Sequence, residues 1–255
     1  MEVEMENNYQ PKRDYIAFIA GSQFKFFQLI VIIFSGTWLI SDIVAVKIVS
    51  IFGLTFTGSF FIFPITSILN SVIVETYGYK NARQAIWAGL VLNILYVSLV
   101  NIVNIIPPST YWSMNEQFEN ILVQGTRIVI ASLICFFISD FVNSYLMAKM
   151  KLKNKGKFIL RRIIISNFVS ISIDVTLFIL MAFYGIIDDD TLISLLSAAY
   201  VKRLACQIFL LPFAFWIIKF LKKAEGIDIY DYDTKFNPFN FDNVYYLRDF
   251  KKINT

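Results

Sequence analysis

The chain has 255 residues, 57% hydrophobic, 17% aromatic and 16% charged, with 23 basic against 19 acidic side chains and a net charge of +4. A soluble domain carries roughly a quarter charged residues, so the composition implies an all-α polytopic membrane protein. Histidine is absent, which excludes histidine metal sites, triads and imidazole relays, and no GxxxxGK[ST] stretch supplies a nucleotide-driven motor.

The opening MEVEMENNYQPKRDY carries three glutamates and is no signal-peptide n-region. Residues 1–23 are expected to be a cytoplasmic segment, 24–221 a transmembrane domain and 222–255 a short polar-aromatic cytoplasmic tail. Six apolar spans are predicted at 26–46, 57–75, 85–106, 127–148, 163–185 and 193–219. Span one holds Asp42 and ends near Lys47. Span two contains Pro64 and a polar stripe of Ser67, Ser71 and Glu75 at i, i+4 and i+8, flanked by Thr66 and Asn70. A loop carrying Lys80 and Arg83 leads to span three, with Asn93, which Pro107 and Pro108 terminate. YWSMNEQFEN then reads as an interfacial segment with Tyr111 and Trp112 at headgroup level. Span four carries Ser132, Cys135, Ser139, Asp140 and Asn143, and KMKLKNKGKFILRR (149–162) follows with seven basic residues and no acid. Span five repeats the stripe as Ser166, Ser170 and Asp174, with Asn167 beside it. After the acidic IIDDD, span six holds Tyr200, Lys202, Arg203, Cys206, Gln207 and Pro212.

Lys and Arg sort to alternate loops, which by the positive-inside rule puts both termini in the cytoplasm. The small net charge therefore argues for orientation among lipids and not for nucleic-acid binding. The cysteines lie inside apolar spans, far from CxxC spacing, and read as buried free thiols.

A charged side chain at mid-membrane costs about 2.5–3.5 kcal/mol on insertion scales, so it needs a partner or a water-filled cavity. Asp174 sits at the centre of its span, either as a functional acid or paired with Lys202 or Arg203. Glu75 lies where span two gives way to charges, so loop exposure and a buried site both satisfy it. The serines also serve close helix packing. Three spans per half cross in opposite directions, and each middle span carries a serine–serine–acid ladder, the pattern of a 3+3 inverted repeat around a shared site.

Several stretches together resemble one family, the small six-helix queuosine precursor transporters (the VUT family). They are VKIVSIFGLTF with Lys47 and Gly53, and FPITSILNSVIVETYGYKNAR with Pro64, Glu75, Tyr77, Gly78, Tyr79, Lys80 and Arg83. WAGLVLNIL with Asn93, PPSTYW, RIVIASL, SIDVTLFILMAFYG with Asp174 and Tyr184, and EGIDIYDYDTKFNPF follow in order, so the resemblance runs from about residue 40 to 239. It implies import of 7-deazaguanine bases, the precursors of a modified tRNA nucleoside, across a bacterial inner membrane. The sequence departs from the family at Ser71 and Asn143, where the family has aspartates, and at Ile171, where it has glutamine. Those departures open the choice among precursors, queuine included.

Under that resemblance the expected substrate-binding residues are Glu75, Asp174, Asn93, Asn143, Ser71, Ser170 and Tyr77, with Lys202, Lys47 and Arg203 balancing charge or coupling ions. A carboxylate accepts from the N1–H and N2–H₂ donors of such a base together, an amide reads O6, and an aromatic face stacks on the ring. No cofactor and no metal are expected; the partners are a small molecule and lipids, and a homo-oligomer is compatible with the sequence. The rival readings are a substrate-capturing subunit of an energy-coupling-factor importer with separate ATPase subunits, an intramembrane acid–base enzyme, and a non-transporting scaffold.

Overall fold

A computed structural model describes residues 18–19, 24–51, 54–123, 126–186, 188–232, 234–241, 244–245 and 249–252. The helices are α1 (Phe27–Val44), α2 (Phe63–Ile105), α3 (Asn115–Leu122), α4 (Thr126–Lys153), α5 (Ile159–Phe183) and α6 (Asp189–Glu225). The short strands are β1 (Phe18–Ile19), β2 (Ile48–Ile51), β3 (Leu54–Thr57), β4 (Ile227–Ile229), β5 (Val244–Tyr245) and β6 (Phe250–Lys252). They form three antiparallel pairs, β1 with β5, β2 with β3, and β4 with β6.

All the helices except α3 are long and apolar enough to cross a bilayer, which makes five by length and composition among the described residues. Their outward faces are as apolar as a core, with Ile32, Leu99, Phe209 and Trp216 exposed, while serine, asparagine, glutamine and charged side chains are buried between them. That inside-out distribution suits a hydrocarbon solvent.

Spans one, four, five and six correspond to α1, α4, α5 and α6. Spans two and three, expected as separate helices joined by a loop, are one helical element broken at Gly78, whose φ is +80°. Thr66 Oγ1, before the break, donates to Thr37 Oγ1 of α1 at 3.2 Å. Gly89, after it, lies against Trp38 so closely that a Cβ would sit 2.7 Å from the ring. On a straight helix Thr66 and Gly89 would be about 35 Å apart, yet they meet adjacent residues of α1. The two halves of α2 therefore fold back on each other at Gly78, a position whose left-handed backbone suits glycine. Lys80 and Arg83 are helical and buried here, where the sequence reading put them in a loop.

Other elements follow local chemistry. Pro64, expected inside a span, occupies the first turn of α2, where its missing N–H costs nothing. Pro212 does lie inside α6. Asp188 caps α6 by accepting from the Thr191 N–H at 2.8 Å, and that bond holds its carboxyl below the usual range. Gly226, at φ +69°, ends the same helix. The β2–β3 pair, which the span reading passed over, uses the β-branched runs IVSI and LTFT.

The segment after α6 packs onto the Gly78 turn. Both Asp231 carboxylate oxygens accept the Tyr79 N–H at 3.0 Å, and Tyr245 Oη accepts from the N–H groups of Lys80 and Asn81 at 3.1 and 3.3 Å. The same hydroxyl donates to the Tyr77 carbonyl at 3.1 Å. The first backbone donors of the second half of α2, which no intrahelical bond can satisfy, are thus capped by residues far along the chain. Arg83 Nη1 donates to the Asn237 carbonyl at 3.2 Å and Trp87 Nε1 to that of Pro238 at 2.9 Å.

Candidate functional site

A layer of neutral polar side chains crosses the middle of the bundle. Gln207 of α6 donates Nε2–H to Ser67 Oγ of α2 at 2.6 Å and accepts Asn167 Nδ2–H of α5 at 2.5 Å. Asn167 Oδ1 accepts in turn from Asn143 Nδ2 of α4 at 2.8 Å and from Ser71 Oγ at 3.2 Å. Beside this chain, Asn70 donates to the Asp140 carbonyl at 3.1 Å and accepts from Ser144 Oγ at 3.1 Å. Two buried acceptors on α4, Asn143 Oδ1 and Asp140 Oδ2, have no hydrogen-bond partner.

On one side of the layer lies a buried charge cluster. Glu75 is one helical turn beyond Ser71, about 6 Å along the axis. Its Oε1 is 2.6 Å from Arg162 Nη2, 2.7 Å from Lys222 Nζ and 3.8 Å from Lys151 Nζ. Asp228, just after α6, joins both lysines at 2.6 Å. Burial opposes the charge on Asp228, but the two ammonium groups outweigh it and hold its carboxyl below the usual range. Lys151 also donates to the carbonyls of Glu75 and Ile229 at 2.6 and 2.7 Å. The ends of α2's first half, α4, α5 and α6 are therefore tied to a single carboxylate oxygen, while Glu75 Oε2 has no hydrogen-bond partner.

On the other side lies Asp174, about 10 Å along α5 from Asn167. It forms an ion pair with Arg203, which stacks over the Phe63 ring at 4.2 Å, and Ser139 Oγ donates to it at 3.4 Å. Further out, Asp42 faces Trp38 and Ser132. With Tyr96 and Asn101, Asp42 and Ser132 line a cavity of about 20 Å³, room for a single water.

The expected site residues thus separate into groups. Ser71 and Asn143 belong to the central layer, and Ser170 donates at 3.2 Å to the Asn167 carbonyl in the same helix. Glu75 and Asp174 flank the layer from opposite sides. Arg203 is the partner of Asp174, one of the two the sequence offered. Tyr77 lies at the Glu75 end, donating to Glu225 Oε1 at 3.0 Å with its ring against Phe24 and Phe27. Asn93 is buried on the second half of α2, donating to the Gly89 carbonyl at 3.0 Å. Lys202 is half-buried on α6, and Lys47 is exposed past the end of α1. The partners of Glu75 (Lys151, Arg162, Lys222) were not among the expected residues, nor were Asn167 and Gln207. Among the described residues, no group of three or more His, Cys, Asp or Glu side chains is arranged to hold a metal.

The family described as "Putative vitamin uptake transporter" matches residues 57–217. A Bacillus subtilis (strain 168) protein named "Probable queuosine precursor transporter" is 24% identical over 195 residues, covering 72% of this chain and 81% of that one. No solved structure matches the chain.

Proposed function

The chain belongs to the vitamin uptake transporter family, a membrane-transport family, and we propose that it imports a queuosine precursor of the 7-deazaguanine class by alternating access. One observation carries this reading: a neutral hydrogen-bonding layer lies between two buried charge layers. The amides and hydroxyls of Ser67, Ser71, Asn143, Asn167 and Gln207 bond to one another across four helices and can exchange those bonds for the edges of a flat polar base. Glu75 with its cations closes one approach, and Asp174 with Arg203 closes the other. Opening either pair in turn exposes the layer to one side of the membrane. In this reading Glu75 and Asp174 act as gate residues, and ligand contact falls to the layer between them.

The orientation we propose puts six crossings in a bacterial inner membrane, with the two halves of α2 counted separately and both termini cytoplasmic. Lys149, Lys151, Lys153, Lys155, Lys157, Arg161 and Arg162 cluster from the end of α4 to the start of α5, and Lys222 and Lys223 end α6, all in support of a cytoplasmic face there. The acids Asp188, Asp189 and Asp190 at the start of α6 suit the opposite face. That Glu75 and Asp174 sit on opposite sides of the layer, each two turns along a serine ladder, agrees with an inverted repeat.

The test is uptake of labelled precursors by proteoliposomes holding only the purified chain, and restoration of tRNA modification in cells unable to make queuosine. We expect uptake without added ATPase subunits and its loss in Asp174→Asn, which leaves Arg203 without its counter-charge. Binding without uptake by the pure chain would favour a substrate-capturing subunit. Full activity of Asp174→Asn would remove that residue from the mechanism.

A further inference from the structure

We propose that Asp140, with Asn143 one turn away on α4, is the acceptor edge that reads the paired N–H donors of the cargo. This rests on the transport reading above and assigns within it the carboxylate that contacts the ligand.

The geometry singles out this pair. Asp140 and Asn143 are three residues apart on a helix, so their side chains share a face. Each is buried, at 4% and 0% exposure, and each keeps an oxygen, Asp140 Oδ2 and Asn143 Oδ1, without a hydrogen-bond partner. Both face the first half of α2: Asn70 bonds the Asp140 main-chain carbonyl and also stands beside its carboxyl, and Asn143 Nδ2 reaches Ser71 Oγ at 3.4 Å. Two adjacent buried acceptors without donors are costly unless a ligand supplies the donors.

The other acids of the bundle are less suited. The Asp174 carboxylate takes Arg203 and Ser139, and Asp42 faces Trp38 and Ser132. Glu75 also has an unpartnered oxygen, but three cations stand against its other one, so its charge is already compensated. Among the described residues no cation lies within ion-pair distance of Asp140, so a donor edge gains most there. Asn143 Nδ2 is engaged by Asn167 and Ser71, which leaves its Oδ1 as the free end of the amide chain. The ligand that fits has two or three N–H donors on one planar edge. A 2-amino lactam such as 7-deazaguanine has that edge, with N1–H and N2–H₂ side by side for one carboxylate.

The experiment uses two probes on the purified full chain, 7-deazaguanine and 7-deazahypoxanthine, which differ by the 2-amino group alone. Wild type should bind the 2-amino compound at least about tenfold more tightly, the worth of a charge-assisted hydrogen bond. In Asp140→Asn that preference should fall below about threefold, while the weaker compound binds nearly as before. Size-exclusion and melting profiles identify a folded variant, and Asp140→Ala serves if the first does not purify. Wild type that does not discriminate, or an Asp140 variant that keeps the full preference, overturns the assignment of Asp140. Wild type that binds neither probe overturns the 7-deazaguanine reading along with it.

Discussion

Glu75→Gln tests the charge cluster most directly, because the structure fixes what the substitution leaves behind. Glu75 and Asp228 face Lys151, Arg162 and Lys222, so the native cluster holds one excess positive charge. Replacing Glu75 by glutamine keeps the shape but doubles the excess in a region where Glu75, Lys151 and Arg162 are at most 1% exposed. Removing one member of a buried pair costs about 3–5 kcal/mol, since the remaining ions lose both water and partner. For a chain of this size that corresponds to a fall in melting temperature of about 6–20 °C. Lys222→Met has the opposite bookkeeping: two cations remain against two carboxylates, and Lys222 is the cation nearest solvent at 11% exposure. It should cost less than Glu75→Gln, because Glu75 keeps Arg162 and Asp228 keeps Lys151. The double variant restores the native excess and should melt above Glu75→Gln alone. Tryptophan fluorescence in detergent reads all four proteins. A Glu75→Gln protein melting within about 2 °C of wild type, or one more stable than Lys222→Met, would refute the electrostatic account.

Three further outcomes are expected. Burial pushes the Asp231 carboxyl from an ordinary value near 3.8 up to about 6, against the Tyr79 N–H and Thr234 bonds that lower it. Between those values the folded protein binds the proton and the unfolded chain does not, so stability should fall by about 2 kcal/mol as pH rises from about 4 to 6; the difference between wild-type and Asp231→Asn melting curves should show that slope, and equal slopes would contradict it. Gly78→Ala puts a Cβ 2.8 Å from Tyr245 Oη and 2.9 Å from Ile229 Cγ2 at a left-handed φ; limited proteolysis should then cut after residue 226 faster than in wild type, with a stability cost above about 1 kcal/mol. Tyr245→Phe strips the partner from two backbone N–H groups and leaves the Tyr77 carbonyl to Asn81 Nδ2 alone, and its melting temperature should drop by an amount equivalent to about 1–3 kcal/mol.

The serine–acid ladders in the sequence mark faces that the fold buries, but they stop short of the cations beyond them. Continuing the α5 stripe one step back from Ser166 reaches Arg162, and continuing α4 from Asn143 through Met147 reaches Lys151. Both arginine and lysine were visible, yet they stood in a run of seven bases that already served as the topological signal, so their inward rotation had no separate mark. The loop around Lys80 failed for a related reason. Charged residues after an apolar run usually meet water, but here tail residues, Asp231, Asn237 and Tyr245 among them, pack over the stretch and bond its backbone and the Arg83 guanidinium. Such a partner, more than 150 residues away, leaves no periodic trace. The centre was more legible: Ser71 and Asn143 lie in the layer because small polar residues at helical spacing can only be satisfied across an interface. Asn167 and Gln207, though seen as polar, were left out because nothing in one sequence says which of several amides meet.

The capping of the Gly78 turn also sets an order of events during synthesis. The halves of α2 leave the ribosome with the N–H groups of Tyr79, Lys80 and Asn81 unfilled, and their acceptors, Asp231 and Tyr245, are made more than 150 residues later. The fold of this turn is therefore completed only once residues beyond the last helix, α6, have been made. A chain that stops at the end of α6 carries every long helix yet lacks the acceptors that fill the N–H groups of Tyr79, Lys80 and Asn81.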